Sequence, residues 1–386
     1  MDHFLDIYSA SLNKSGEELC GDKVKVGRTD RKTIVVLSDG LGSGVKANIL
    51  ATLTAEIIIT MLRAEIPLKE VLSTVIGTLP ICKVRHIAYS TFTAIEIDHA
   101  TNHFRIVNFD NPSPFYVHNG KTVRLVETEE LILERKIHVS EGELMAGDFL
   151  GVISDGILHA GMGTSWNFGW GWDNMTKYLE GLFLYSHHTA KSIAQGVVSR
   201  TKSLYGQNVG DDATCIVVYT RQSHPLMVFT GPPLDDKLDD VCVQRLLEFD
   251  GRRIVCGGTT GNIVATYLGE DIDMDLKTLT PELPPIGELS GVNLVTEGII
   301  TMARALDYLR ECRGEESLLP PVDNGAVRLC RELLRADSIF FLVGQRINEF
   351  YQNPLLPGNL SLRRKLVEEF NQLLGDLHKD VKIEYI

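Results

Sequence analysis

Apolar positions in the first half of the chain come in short unbroken runs bounded by polar turns. Thr33–Ser38 is one such run and predicts a buried strand, as do Phe149–Ser154 and Thr214–Tyr219. Ser90–Ile97 and Phe104–Phe109 predict two strands joined by the polar turn Asp98–Asn102. Phe115–His118 and Thr122–Val126 flank Asn119-Gly120, a strong short-hairpin signal. The period then changes. Ile49, Leu50, Leu53, Ile57 and Met61 recur at helical spacing and predict a helix over Val45–Arg63, with Ser43 placed to cap it and Pro67 just beyond. Met175–Tyr185 and Ala190–Leu204 also predict helices. Many antiparallel strands with helices between them predict a layered α/β/β/α sandwich.

The register changes at the polar, proline-ended segment Arg221–Pro225, which sets an expected boundary between domains 1–221 and 222–386. Beyond it, strands are predicted at Pro225–Thr230, Arg253–Cys256, Ser338–Val343 and Val381–Tyr385. Helices are predicted at Asp239–Glu248, Val295–Arg310, Val327–Arg335 and Leu362–Leu374. Alternating strands and helices predict a three-layer α/β domain around a largely parallel sheet. A chain of 386 residues fits two such domains.

Composition narrows the function. Hydrophobic residues at 44% and charged residues at 23% are ordinary for a soluble globular protein. A formal net charge of −13 argues against a nucleic-acid partner, whose phosphates it would repel. No basic segment followed by an apolar run opens the chain, and the apolar stretches read as too short or interrupted for a bilayer, so a cytoplasmic protein without a membrane partner is expected. The seven cysteines are scattered without a CxxC pair and read as reduced thiols.

Three acidic signatures then stand out. Asp39 lies in LSDGLGSG and Asp155 in GVISDGIL, each after an apolar run, while Asp211 in GDDATCIVV precedes one. Carboxylates at the ends of buried strands repel one another if they converge, and a hard divalent cation offsets that repulsion. The pattern points to metal-assisted chemistry on phosphate. The glycines after Asp39 do not form a phosphate-binding P-loop, since the GKS/T ending is missing.

These residues resemble those of the PPM-type serine/threonine phosphatases, in the branch containing the stage II sporulation protein E phosphatase. The resemblance covers about residues 1–220 and rests on Glu18-Leu19-Cys20-Gly21-Asp22, Ser38-Asp39-Gly40 with Gly42 and Gly44, Ser90-Thr91-Phe92-Thr93, Gly147-Asp148-Phe149 leading to Ser154-Asp155-Gly156, and Asp211-Asp212-Ala213-Thr214. It implies two divalent cations, Mn²⁺ or Mg²⁺, bridged by Asp39. It implies the Gly40 carbonyl as a further ligand and Asp155 and Asp211 completing the shells. Asp22 is implied to act through water and Asp212 as an outer group or extra ligand. It also implies hydrolysis of phosphoserine or phosphothreonine in a partner protein by water activated between the ions. Substrates in that branch are often anti-sigma-factor antagonists or related signalling proteins, and helices beside the Asp39 loop act there as a regulatory switch, which makes Val45–Arg63 the candidate here. The alternative is a PPM-like adaptor that binds a phosphoprotein or small ligand without turnover. The oligomeric state stays open, a homodimer included.

Other positions carry blander expectations. Asn108–Pro114 departs from the family's small glycine-rich turn and reads as an Asx-turn. Trp166, Trp170 and Trp172 read as a small satellite core rather than a docking flap. His159 reads as a structural histidine rather than a proton donor, and Ser186, His187 and His188 as a helix end. The second domain carries no recognised family motif. Its loops Cys256–Asn262 and Gly344–Asn348, each after a strand, suggest a small ligand or partner on one sheet edge and a regulatory role.

Overall fold

The computed structural model describes residues 3–78, 90–163, 166–184, 188–346, 359–377 and 379–386. The chain divides into two compact units, Met1–Gln222 and Ser223–Ile386. Ser186, His187 and Cys82 lie outside the described residues, and the other six cysteines are free thiols.

The first unit contains β1 (His3–Leu12), β2 (Asp22–Arg28), β3 (Lys32–Gly40), α1 (Gly44–Arg63), α2 (Leu68–Thr78), β4 (Ser90–Asp98), β5 (His103–Phe109), β6 (Phe115–His118) and β7 (Lys121–Val123). It continues with β8 (Thr128–Ile132), β9 (Arg135–Glu143), β10 (Phe149–Ile153), α3 (Asp155–His159), α4 (Trp172–Leu182), α5 (Ala190–Tyr205) and β11 (Ala213–Gln222). One sheet runs β1-β11-β10-β6-β7 and the other β2-β3-β4-β5-β9-β8, and every pairing is antiparallel.

Strand β3 shows why the central strands read as unbroken apolar runs. Ile34 and Val36 pack beneath α1 and α2, while Val35 and Leu37 pack into the space between the sheets against Leu150, Val152 and Ile216. Successive side chains point to opposite faces, and both faces are covered. On the far side, Ile153, Ala213 and Val217 pack against α3, α4 and α5 through Ile157, Leu179 and Val197. The result is the expected α/β/β/α sandwich. The Asn119-Gly120 hairpin forms with positive φ at both residues, 50° and 72°, as a primed turn requires.

Helix α1 forms where the period predicts it. Its buried face is Ala47, Ala51, Ala55, Ile58, Ile59 and Leu62, with Ile57 and Met61 partly buried beside it, while Val45, Ile49 and Leu53 are exposed. Small alanines let the first turns of the helix lie close on the sheet. Ser43 holds the N-cap position without capping, because its hydroxyl donates to Glu17 Oε1 at 2.9 Å. By length and composition alone α1 is also long and apolar enough to cross a membrane, contrary to the sequence reading; here its inner face covers a sheet.

The second unit contains β12 (Pro225–Thr230), α6 (Asp239–Glu248), β13 (Arg252–Cys256), α7 (Gly258–Leu268), β14 (Asp273–Asp275), β15 (Ile286–Leu289), β16 (Val292–Thr296), α8 (Ile299–Cys312), α9 (Gly325–Arg335), β17 (Ser338–Val343), α10 (Asn359–Asp376) and β18 (Asp380–Tyr385). The sheet runs β14-β15-β16-β13-β12-β17-β18. Its five strands from β16 to β18 are parallel, and β14 and β15 add an antiparallel edge. Leu226 and Val228 face α8, α9 and α10, while Met227 and Phe229 face α6 and α7. This is the expected three-layer architecture. The helix expected from Val295 begins only at Ile299. Val292–Thr296 pairs with β13 as a strand, and Gly298 separates the two elements.

Candidate metal centre

The antiparallel pairing of β2 and β3 sets Asp22 directly opposite Asp39, and the pairing of β3 and β4 sets Thr91 on the other side of Asp39. Opposed residues project from the same face of a sheet, and like charges there repel. Asp155 opens α3 just after β10, and Asp211 lies just before β11, which pairs with β10. The two sheets thus bring their acidic ends to one place. Ser154 ties them: its hydroxyl donates to Asp22 Oδ2 at 2.7 Å and accepts from Thr214 N at 2.8 Å.

A cavity of about 690 Å³ opens over this point, lined by Asp39, Gly40, Asp155 and Asp211 together with Ser43, Thr91, Asp110 and Asn111. Among the described residues Lys14 is the only basic side chain on its wall. A Cβ on Gly40 would collide with the Ala47 carbonyl, so only glycine lets α1 approach the strand end this closely. Asp110 and Asn111 sit on the Asx-turn expected at Asn108–Pro114. Asn108 Oδ1 accepts from Asn111 N at 3.2 Å, and Asp110 has φ 56°. Thr91 Oγ1 donates to Asn111 Oδ1 at 2.5 Å, which fixes the turn against the site.

The carboxylates suffer from their crowding. Asp39 is pushed up to about 9, first by burial and then by Asp22, Asp155 and Asp211. Asp22 is pushed up to about 7, mainly by burial, with hydrogen bonds from Ser154 and Thr214 opposing and Asp212 adding to the rise. Burial and Asp155 also raise Asp211. His159 lies one turn beyond Asp155, its Nδ1 3.7 Å from Asp155 Oδ2. Donor atoms of Asp155, His159 and Asp211 all fall within 4.8 Å of one another.

The donor set fits a hard divalent cation. It is oxygen-rich, with one imidazole beside it, and Asp22 Oδ1 is buried without a hydrogen-bond partner. The nearby Cys20 offers no thiolate, since burial and Asp22 push its thiol up to about 12.

Asp22 and Asp212 stand behind the cavity rather than on its wall. Asp212 is buried, and both its oxygens are committed: Oδ1 accepts from Lys14 N at 3.0 Å and Oδ2 from Gly21 N at 2.9 Å. It anchors the loop that carries Lys14. Sequence reasoning named Thr91 and Ser154 only inside motifs and Asp110 only inside the Asx-turn, without a role for any of them, and said nothing of Lys14, which carries no local signal. Of the tryptophans, Trp170 is buried and Trp172 packs against the same core, its Nε1 donating to Ser113 O at 3.2 Å, while Trp166 is partly exposed.

The family model described as stage II sporulation protein E (SpoIIE) matches residues 29–221. Stage II sporulation protein E of Bacillus subtilis (strain 168) is 27% identical over 224 residues, which is 56% of this chain and 26% of that protein. The chain therefore spans about a quarter of that relative's length. Among solved structures, the PP2C phosphatase domain of SpoIIE from Bacillus subtilis, with a fragment of its regulatory domain, superposes with a TM-score of 0.49 at 22% identity, covering 57% of this chain and 62% of that one. The RsbU and RsbW domains of a Mycobacterium tuberculosis protein give a TM-score of 0.46 at 17% identity, covering 63% and 69%.

Proposed function

The chain belongs to the stage II sporulation protein E family, and on that premise we propose that it is a Mg²⁺- or Mn²⁺-dependent phosphatase of phosphoserine or phosphothreonine in a partner protein. The observation that carries this reading is the convergence of Asp39, Asp155 and Asp211 on one cavity whose wall bears a single lysine. Asp39, Asp155, Asp211 and the Gly40 carbonyl are the groups we assign to hold two cations, with Asp22 behind them. When bound, divalent cations neutralise both the carboxylates and a phosphate dianion and make water acidic enough to supply hydroxide near neutral pH.

The protein's own groups do the rest. Ser154 holds Asp22 in place, and Asp212 fixes the backbone at Lys14. The Lys14 ammonium adds positive charge to the cavity wall, where it would attract a phosphoryl group. Thr91 and Asn111 form a locked polar rim. No Ser or Cys nucleophile is required, so no phosphoenzyme forms. In this reading the protein works in the cytoplasm, its substrate is a signalling phosphoprotein of the anti-sigma-factor-antagonist kind, and the second unit is regulatory.

Asp39→Asn tests the assignment. Hydrolysis of a phosphopeptide by the full chain with Mn²⁺ should fall by at least about 10²-fold, the size of effect that even outer groups of a metal site produce. Circular dichroism should remain unchanged. Full activity in that variant would overturn the site. Absence of Mn²⁺ binding by calorimetry in the wild type would favour the adaptor instead.

A further inference from the structure

Arg363 of the second unit has one hydrogen-bond partner and no carboxylate among the described residues. From β12 the chain builds outward through β13 to β16, then returns to the opposite side of β12 with β17 and continues to β18. The direction of winding reverses between β12 and β17. In open parallel sheets the crevice at the carboxyl ends of two such strands is where ligands bind.

Both strands end there in glycine. Thr230 pairs with Val343, and Gly231 and Gly344 follow them. Gly231 has φ 81°, and a Cβ on it would collide with the Arg363 guanidinium. A Cβ on Gly344 would collide with the carbonyls of Gly231 and Pro232. The glycines therefore let the backbone after the two strands pack closely, with Arg346 N donating to Pro232 O at 3.1 Å, and let the Arg363 guanidinium, from the first turns of α10, lie directly against the strand ends. Its Nη1 donates to Gly344 O at 2.9 Å.

That carbonyl is its only partner among the described residues. Several other arginines of the unit have carboxylates, Arg245 gripping Glu384 through two hydrogen bonds of 2.8 and 2.7 Å and Arg328 gripping Asp323 at 2.8 and 2.7 Å, while Arg253 spreads its guanidinium over the carbonyls of Phe249 and Gly291. Arg346, two residues past Gly344, is held by Asp236 and Asp239. Arg363 is half-buried, and burial alone, with no neighbouring charge opposing it, lowers its pKa. A guanidinium offers five N–H donors in a fork suited to carboxylate or phosphate. One is used.

We propose that the crevice between β12 and β17 binds a small molecule through a single anionic group, carboxylate or phosphate, gripped by Arg363. A polyphosphate does not fit. The segment after β12 carries Asp235, Asp236, Asp239 and Asp240 where a glycine-rich phosphate turn would have to lie.

The test is calorimetric titration of the full-length chain in EDTA with acetate, inorganic phosphate and ADP, each to about 20 mM, a range that reaches the millimolar constants expected for one charged grip. Wild type and Asp39→Asn should bind acetate or phosphate equally well, which separates this site from the metal centre and from the phosphatase reading. The better of the two anions identifies the headgroup. Arg363→Gln should weaken it by about tenfold or more, and Arg363→Lys by less, because the charge remains without the fork. Unchanged melting temperatures without ligand would show both variants to be folded. Equal binding by Arg363→Gln, no binding of either anion by the wild type, or tighter binding of ADP than of both would overturn the proposal.

Discussion

The two units each have one polar site that the chain does not neutralise, and the signs are opposite. In the first unit, acidic groups from two sheets crowd a cavity walled by one lysine. In the second, the Arg363 guanidinium lies against two strand ends with no carboxylate partner of its own among the described residues. A fold whose electrostatics closed internally would show neither. Such a defect costs stability, and one that persists at a strand end is a place kept for something from outside. Both have a glycine at a strand end with a neighbouring group close against it: the Ala47 carbonyl at Gly40, the Arg363 guanidinium at Gly231.

The comparison breaks most visibly at Gly40. Gly40→Ala drives a Cβ into backbone that cannot move without displacing α1, so unfolding in urea should show a loss of about 2–3 kcal/mol, with Mn²⁺ affinity lost alongside. A variant as stable as wild type would mean that the tight contact is not required. A smaller and opposite effect comes from relieving the acidic crowding. Asp39 is raised in the folded, metal-free chain relative to its ordinary value, so the folded state binds more protons than the unfolded one between those values. Stability of the metal-free chain must then fall as pH rises from about 4 towards 9. Asp39→Asn should raise its melting temperature, more at pH 8 than at pH 5, and Mn²⁺ should remove the slope in wild type only. A flat profile would remove the charge argument for the first site. The smallest effect is the control for the second. Arg245→Ala breaks a paired, partly exposed arginine, and the loss should stay within about 1 kcal/mol in urea unfolding, without change in anion binding. An anion affinity that followed Arg245 rather than Arg363 would erase the distinction between paired and unpaired cations.

Much of the architecture was legible because buried strands announce themselves. Lys32–Gly40, Phe149–Ile153, Ala213–Gln222 and Pro225–Thr230 are covered on both faces, and their sequences are continuous apolar runs. Strand β8 escaped notice because most of it is exposed and polar, as did β9, whose apolar positions are isolated. The helical period placed α1 but did not give its buried face, because alanine packs inward as effectively as isoleucine when a helix lies close. At the first site the acidic positions were legible as a set, each beside a strand end. Ser154 was not, because its meaning lies in a hydrogen bond to a residue 132 positions away. Arg363 was less legible still, since its distinction is the absence of a partner, which only the folded neighbourhood reveals.

The direct opposition of Asp22 and Asp39 across β2 and β3 has a consequence for how the chain reaches its native state. A slip of one residue in that hairpin would turn Asp22 to the other face, among the apolar side chains beneath α1, and would leave Ser154 without its acceptor. A cation bound as proposed would therefore reward one alignment of the two strands and no adjacent one. The ion would act as a proofreader of strand alignment during folding, before it ever meets a substrate.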